Sequence, residues 1–167
     1  MHDDNGNAAA AAAAATPWLI HCDGSAVPNP GRMGLGAVIA SPDGATQHAL
    51  SEATHCTGCN NEAELRALLA ALQWLAARQG AGPAFRLKVV SDSSLLVQHL
   101  GPRPGATVVR LAALLDAVRR ALAPFAEVEL AWVPRHRNGA ADALARAALG
   151  LAPKPAAKPL RKGRRKR

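Results

Sequence analysis

Arg86-Leu-Lys-Val-Val-Ser-Asp-Ser-Ser94 is the stretch whose reading decides the fold. Its first six residues hold Leu87, Val89 and Val90, a short apolar run of the kind that forms a buried strand. An acid, Asp92, follows at once. Ser93–Leu100 then reads as a short helix halted by Gly101-Pro102. A strand that feeds a helix is half of a βα unit and calls for a parallel neighbour. Upstream the pattern differs. Trp18–Asp23 alternates, with Trp18, Ile20 and Cys22 on one face and Leu19, His21 and Asp23 on the other. Asp23-Gly24 and Pro28-Asn29-Pro30-Gly31 read as a loop. Gly34–Ser41 is a second strand, Pro42-Asp43-Gly44 a hairpin turn, and Thr46–Thr54 a third strand.

Asn60 or Asn61 is expected to cap a helix that runs to Arg78, with Leu65, Leu68, Leu69, Leu72, Leu75 and Ala76 on its apolar face. Val108–Leu122 repeats this spacing with Leu111, Leu114, Leu115, Val118 and Leu122. Glu127–Val133 is a fifth strand, and Asn138–Leu149 a last helix stopped by Gly150. The order βββ-α-β-α-α-β-α predicts an α/β fold: a mixed five-stranded sheet, antiparallel in its first three strands and then parallel, flanked by helices.

The 167 residues suffice for one domain with tails. The sequence lacks a strongly apolar run of helix-spanning length, so a membrane helix is not expected. Asp3 and Asp4, with no Lys or Arg before Pro17, argue against a secretory signal. Residues 151–167 carry eight of the 20 basic residues and no acid, which leaves twelve of each sign elsewhere. The expected organisation is a disordered Ala-rich leader over 1–16, a folded unit over 17–150 and a disordered basic tail over 151–167. Such a tail seeks polyanions, nucleic acid above all, or serves solubility alone. Three cysteines, Cys22, Cys56 and Cys59, make no disulfide framework and fit a reducing cytoplasm. Cys56-Thr-Gly-Cys59 has the spacing of a redox or zinc pair, but only His55 stands near it as a further ligand. Gly31, Gly34 and Gly36 precede a strand and not a helix, so they do not make a dinucleotide loop.

Four acids stand at informative places. Asp23 ends the first strand and Asp92 follows the fourth. If those strands are parallel neighbours, both side chains emerge at one sheet edge, where α/β folds collect ligands. Glu64 occupies the apolar stripe of its helix, and Asp142 lies in the first turns of the last helix. Each has a plainer reading: an Asp-Gly turn for Asp23, an N-cap for Asp92, a capping box with Asn61 for Glu64, the helix dipole for Asp142. If the four meet, they cannot all be ionised at close range without a cation. Mg²⁺ suits such a site. Two ions about 4 Å apart would activate a water and stabilise a leaving oxygen in attack on a phosphodiester.

These residues resemble a known family, type 1 ribonuclease H. The matching stretches are Asp23-Gly24-Ser25 with Asn29-Pro30-Gly31, Asn60-Asn61-Glu62-Ala63-Glu64-Leu65, Ser91-Asp92-Ser93, and Asn138-Gly139-Ala140-Ala141-Asp142, in family order. The resemblance implies metal-dependent hydrolysis of the RNA strand of RNA–DNA hybrids to 3′-hydroxyl and 5′-phosphate ends. It implies that Asp23, Glu64, Asp92 and Asp142 hold two Mg²⁺ ions, with Mn²⁺ as the alternative. It also places Asn29, Asn60, Asn61 and Ser94 against the hybrid. Two departures stand out. The basic protrusion that many bacterial members carry is reduced to Gly101-Pro-Arg-Pro-Gly105, and the loop before the last acid is short. His136, six residues before Asp142, either takes a catalytic or product-release role or is a solvated loop histidine beside two arginines. A monomer with no protein partner is expected. The rival readings are a catalytically silent hybrid-binding module and a DNA strand-transfer enzyme built on a similar sheet.

Overall fold

The computed structural model describes residues 16–78, 80–106 and 108–155. Strands β1 (Trp18–Val27), β2 (Gly31–Ala40) and β3 (Gln47–Gly58) form an antiparallel meander. Helix α1 (Asn60–Ala77) crosses to β4 (Arg86–Ser91), which pairs parallel with β1. Helix α2 (Ser94–Leu100) and a 3₁₀ turn over Val109–Leu111 lead into α3 (Ala112–Leu122). Strand β5 (Glu127–Trp132) then pairs parallel with β4. A 3₁₀ turn over Arg135–Arg137 precedes the last helix, α4 (Gly139–Ala148). The sheet order is β3-β2-β1-β4-β5, the mixed five-stranded arrangement that the sequence predicts.

The core lies between the sheet and α1, where Leu65, Leu68, Leu72 and Leu75 are fully buried against Ile20 and Leu87. Leu111, Leu115 and Val118 close it from the side of α3. Ala76, expected on the same stripe as the leucines, is exposed. Helix α4 packs on β2, β1 and β3. It comes so close to β2 that a Cβ on Gly36 would lie 2.2 Å from the carbonyl oxygen of Ala141. A Cβ on Gly24 of β1 would lie 2.1 Å from the backbone of Ala63 in α1.

Several boundaries differ from expectation. Asp23 does not end β1: pairing with β2 carries the strand on to Val27, while pairing with β4 stops at His21. β3 likewise runs on through Cys56. Neither Asn60 nor Asn61 caps α1. The N-cap is Cys59, and the Asn60 side chain instead accepts a hydrogen bond from the Ala26 N–H at 2.8 Å. Ser93, not Asp92, caps α2, accepting from the Leu96 N–H at 3.2 Å. Gly150, at φ +73°, follows the C-cap of α4 as a left-handed residue. The expected leader and the tail beyond residue 155 lie outside the described residues. No helix among the described residues is long and apolar enough to cross a membrane.

Candidate active site

β4 ends at Ser91 while β1 continues, so the sheet opens a notch beside Asp23 at the carboxyl end of β4. Asp23 is paired with Gly36 and therefore faces α4. Asp92 is the first residue past β4. Asp142 sits in the first turn of α4 and is buried. Glu64 enters from the other side, in the α1 segment that rests on Gly24. The four acids feel one another. Burial pushes the Asp23 carboxyl up to about 8, with the charges of Asp92, Asp142 and Glu64 adding to the shift and the Gly24 N–H opposing it. Burial also raises Glu64, against a hydrogen bond from Ser93.

The acids are held from behind. Asn138 is buried, and its Nδ2 donates to Asp92 Oδ1 and to the Cys22 carbonyl, both at 2.9 Å. One amide thus ties β1, the residue after β4 and the start of α4 together. The indole of Trp132 donates to the Asp92 carbonyl at 3.1 Å. Two cations stand at the rim: Arg135, with Nε 3.6 Å from Asp92 Oδ2, and Lys154, with Nζ 2.8 Å from Asp142 Oδ1. Burial holds His21, beside Asn138, below the ordinary histidine value.

The donor set at this notch consists of carboxylate oxygens. Glu64 Oε2 is buried and has no hydrogen-bond partner. That orphaned oxygen among three further acids fits a hard divalent cation. Among the described residues, no three His, Cys, Asp or Glu side chains are arranged to close on one ion. The fit is therefore to an ion held by one or two carboxylates and completed by water and substrate oxygen, the habit of Mg²⁺, and not to a protein cage.

The sequence profile of the reverse transcriptase-like family matches residues 21–148. The RNase H domain at the N-terminus of Rv2228c from Mycobacterium tuberculosis superimposes with a TM-score of 0.70 at 32% identity, over 79% of this chain and 98% of that one. The chain belongs to the type 1 ribonuclease H family. The full bifunctional protein Rv2228c is 35% identical to this chain over 83% of it, and the chain spans 37% of that protein's length. LC11-RNase H1, isolated from compost and solved in complex with an RNA/DNA hybrid, matches with a TM-score of 0.70 at 27% identity, over 80% of this chain and 96% of that one.

The remaining expected residues stand on loops and helix starts of this ribonuclease H fold. Asn29 is exposed in the β1–β2 turn, and its Oδ1 accepts from the Asn60 N–H at 3.2 Å. Asn61 follows Asn60 in the first turn of α1, and Ser94 is exposed at the start of α2. His136 is exposed on the 3₁₀ turn before α4, in the wall of a cleft that also contains Asp142 and Lys154. Cys56 and Cys59 are free thiols, Cys56 exposed on β3 and Cys59 at the cap of α1. Gly34 and Gly36 serve the contact with α4. Sequence reasoning missed Asn138, Ser93 and Lys154 as parts of the site. Asn138 had one usable signal, a polar residue opening the motif that ends in Asp142.

Proposed function

We propose that this member of the family is a metal-dependent endoribonuclease that cleaves the RNA strand of RNA–DNA hybrids, leaving 3′-hydroxyl and 5′-phosphate ends. The observation that carries the reading is geometric: Asn138 bonds Asp92 and the Cys22 carbonyl next to Asp23, Glu64 lies on the α1 segment that rests on Gly24, and Asp142 is in the first turn of α4, so acids from separate parts of the chain share one notch. Asp23, Glu64, Asp92 and Asp142 would hold two Mg²⁺ or Mn²⁺ ions, which supply activation of the attacking water and charge neutralisation at the leaving 3′-oxygen.

The chain's own groups prepare that chemistry. With its carboxyl raised to about 8, Asp23 carries a proton at neutral pH without a cation, and giving it up is required before it can act as a charged ligand. Asn138 fixes the rotamer of Asp92, and Ser93 does the same for Glu64. Asn29, Asn60, Asn61 and Ser94 would meet the hybrid backbone, and His136 the cut strand. Such contacts read 2′-hydroxyls and backbone shape, so little base preference is expected. LC11-RNase H1 with its bound RNA/DNA hybrid is the relative that supports this substrate.

The test is a labelled hybrid incubated with Mg²⁺, with chelator, and with Asp92→Asn. The expected outcome is cleavage only by the wild type with Mg²⁺, while the variant keeps its circular dichroism spectrum. A folded variant with wild-type turnover would remove the metal site. Tight hybrid binding with no Mg²⁺-dependent cutting would make the protein a binding module.

A further inference from the structure

The chain does not leave the molecule at the end of α4. The Leu151 N–H donates to the Arg146 carbonyl at 3.0 Å, and Arg146 Nε donates to the Ala152 carbonyl at 2.8 Å. These bonds turn the backbone back toward the start of its own helix. Pro153 and Pro155 flank Lys154 and restrict the backbone that carries it. The result is the short ion pair between Lys154 Nζ and Asp142 Oδ1, in which the carboxylate side chain is 11% exposed. Arg135, His136, Pro153 and Pro155 are among the walls of the cleft in which the pair sits, with a volume of about 660 Å³.

We infer that residues 151–155 form a strap holding Lys154 as an internal counter-cation on Asp142, displaced when a divalent cation is seated there. This rests on the metal reading of the site. An ammonium and a metal ion compete for the same carboxylate oxygen. The geometry is specific for one acid of the four: Lys154 bonds Asp142, while Arg135 approaches Asp92 more loosely, at 3.6 Å. The strap therefore keeps the metal-free site from carrying its full negative charge, and it sets a threshold of cation concentration for loading. Once displaced, Lys154 stays tethered at the wall of the cleft, beside Arg135 and His136.

Two measurements on the full chain, neither using cleavage, test this. In chelator, Lys154→Ala should lower the melting temperature, and the loss should vanish in an Asp142→Asn background. By calorimetric titration with Mg²⁺ or Mn²⁺ alone, Lys154→Ala should bind the ion about fivefold more tightly, the scale of one partly exposed ion pair. Lys154→Arg should behave more like wild type. Wild type and Lys154→Ala binding the ion equally, or additive effects of the two substitutions on melting, would overturn the strap and leave the metal site standing. No ion binding by either protein would overturn both.

Discussion

Asp23 is a buried acid whose proton is held up to about 8 by burial first and by Asp92, Asp142 and Glu64 after it. Its folded value lies far above the ordinary aspartate value of 3.8. Between the two, the native state binds the proton and the unfolded chain does not, so stability falls as pH rises. Glu64 acts in the same direction. His21, shifted down, acts oppositely but only below its ordinary value of 6.5. Metal-free protein should therefore lose stability as pH rises through neutrality, by about 1 kcal/mol between pH 7 and 8 and by progressively less above that. Asp23→Asn should flatten that slope. Thermal melts in chelator across this range check it, and a wild-type slope in the variant would show that the proton sits elsewhere. The acids themselves were legible in the sequence because they are few and three of them stand at a strand end or in the first turns of a helix; Asp23 was singled out as a strand end although β1 runs on past it. Asn138 was not, because its partners Cys22 and Asp92 lie 116 and 46 residues away in the chain. Nothing local to Asn138 separates a bridging amide from an ordinary helix cap.

The elements are fastened to one another by backbone contact at two seams. Gly36→Val would drive a side chain into the Ala141 carbonyl, 2.2 Å from where its Cβ must stand. The expected cost is about 1–3 kcal/mol, with α4 and Asp142 pushed off the sheet. Denaturant unfolding should show the loss and cleavage assays a fall in rate; wild-type stability would mean that α4 sits less tightly. Asn138→Ala tests the other tie. It should cost about 1–3 kcal/mol by leaving the Cys22 carbonyl and Asp92 without their donor, and it should lower turnover more than hybrid affinity. Equal turnover in a stable variant would show that Asp92 needs no support. These seams also explain what sequence reading placed wrongly. Asp23-Gly24 has the composition of a turn, yet Gly24 serves the close approach of Ala63 in α1, and β1 runs straight through it. Likewise the amide of Asn60 looks like a cap but binds the Ala26 N–H. In both cases a long-range contact used a residue type whose local preference is for something else.

For the whole molecule, charge is divided between parts. Residues 156–167 hold seven basic residues, while the chain before residue 151 is balanced. Attraction for a polyanion would then come from the end of the chain and chemistry from the notch. Removing 156–167 should weaken hybrid binding near physiological salt and make the dependence of log K on log salt shallower, by as much as about 6 if every removed charge meets a phosphate. Single-turnover cleavage at saturating enzyme should persist. Titrations of Asp92→Asn protein, with and without these residues, at several KCl concentrations decide this; an unchanged slope would strip the segment of that role. The alternation of three antiparallel strands with later βα units made the architecture readable, because topology follows from periodicity and connection length. A last consequence concerns the link between Trp132 and Asn138. β5 is anchored by its ladder to β4, which the Val133 N–H continues to the Ser91 carbonyl, and α4 by its seat on β2, so both elements have anchors outside residues 134–137. Extra sequence grafted into that link would lengthen the lip of the notch and leave its acids where they are, which makes reach over a ligand adjustable separately from catalysis.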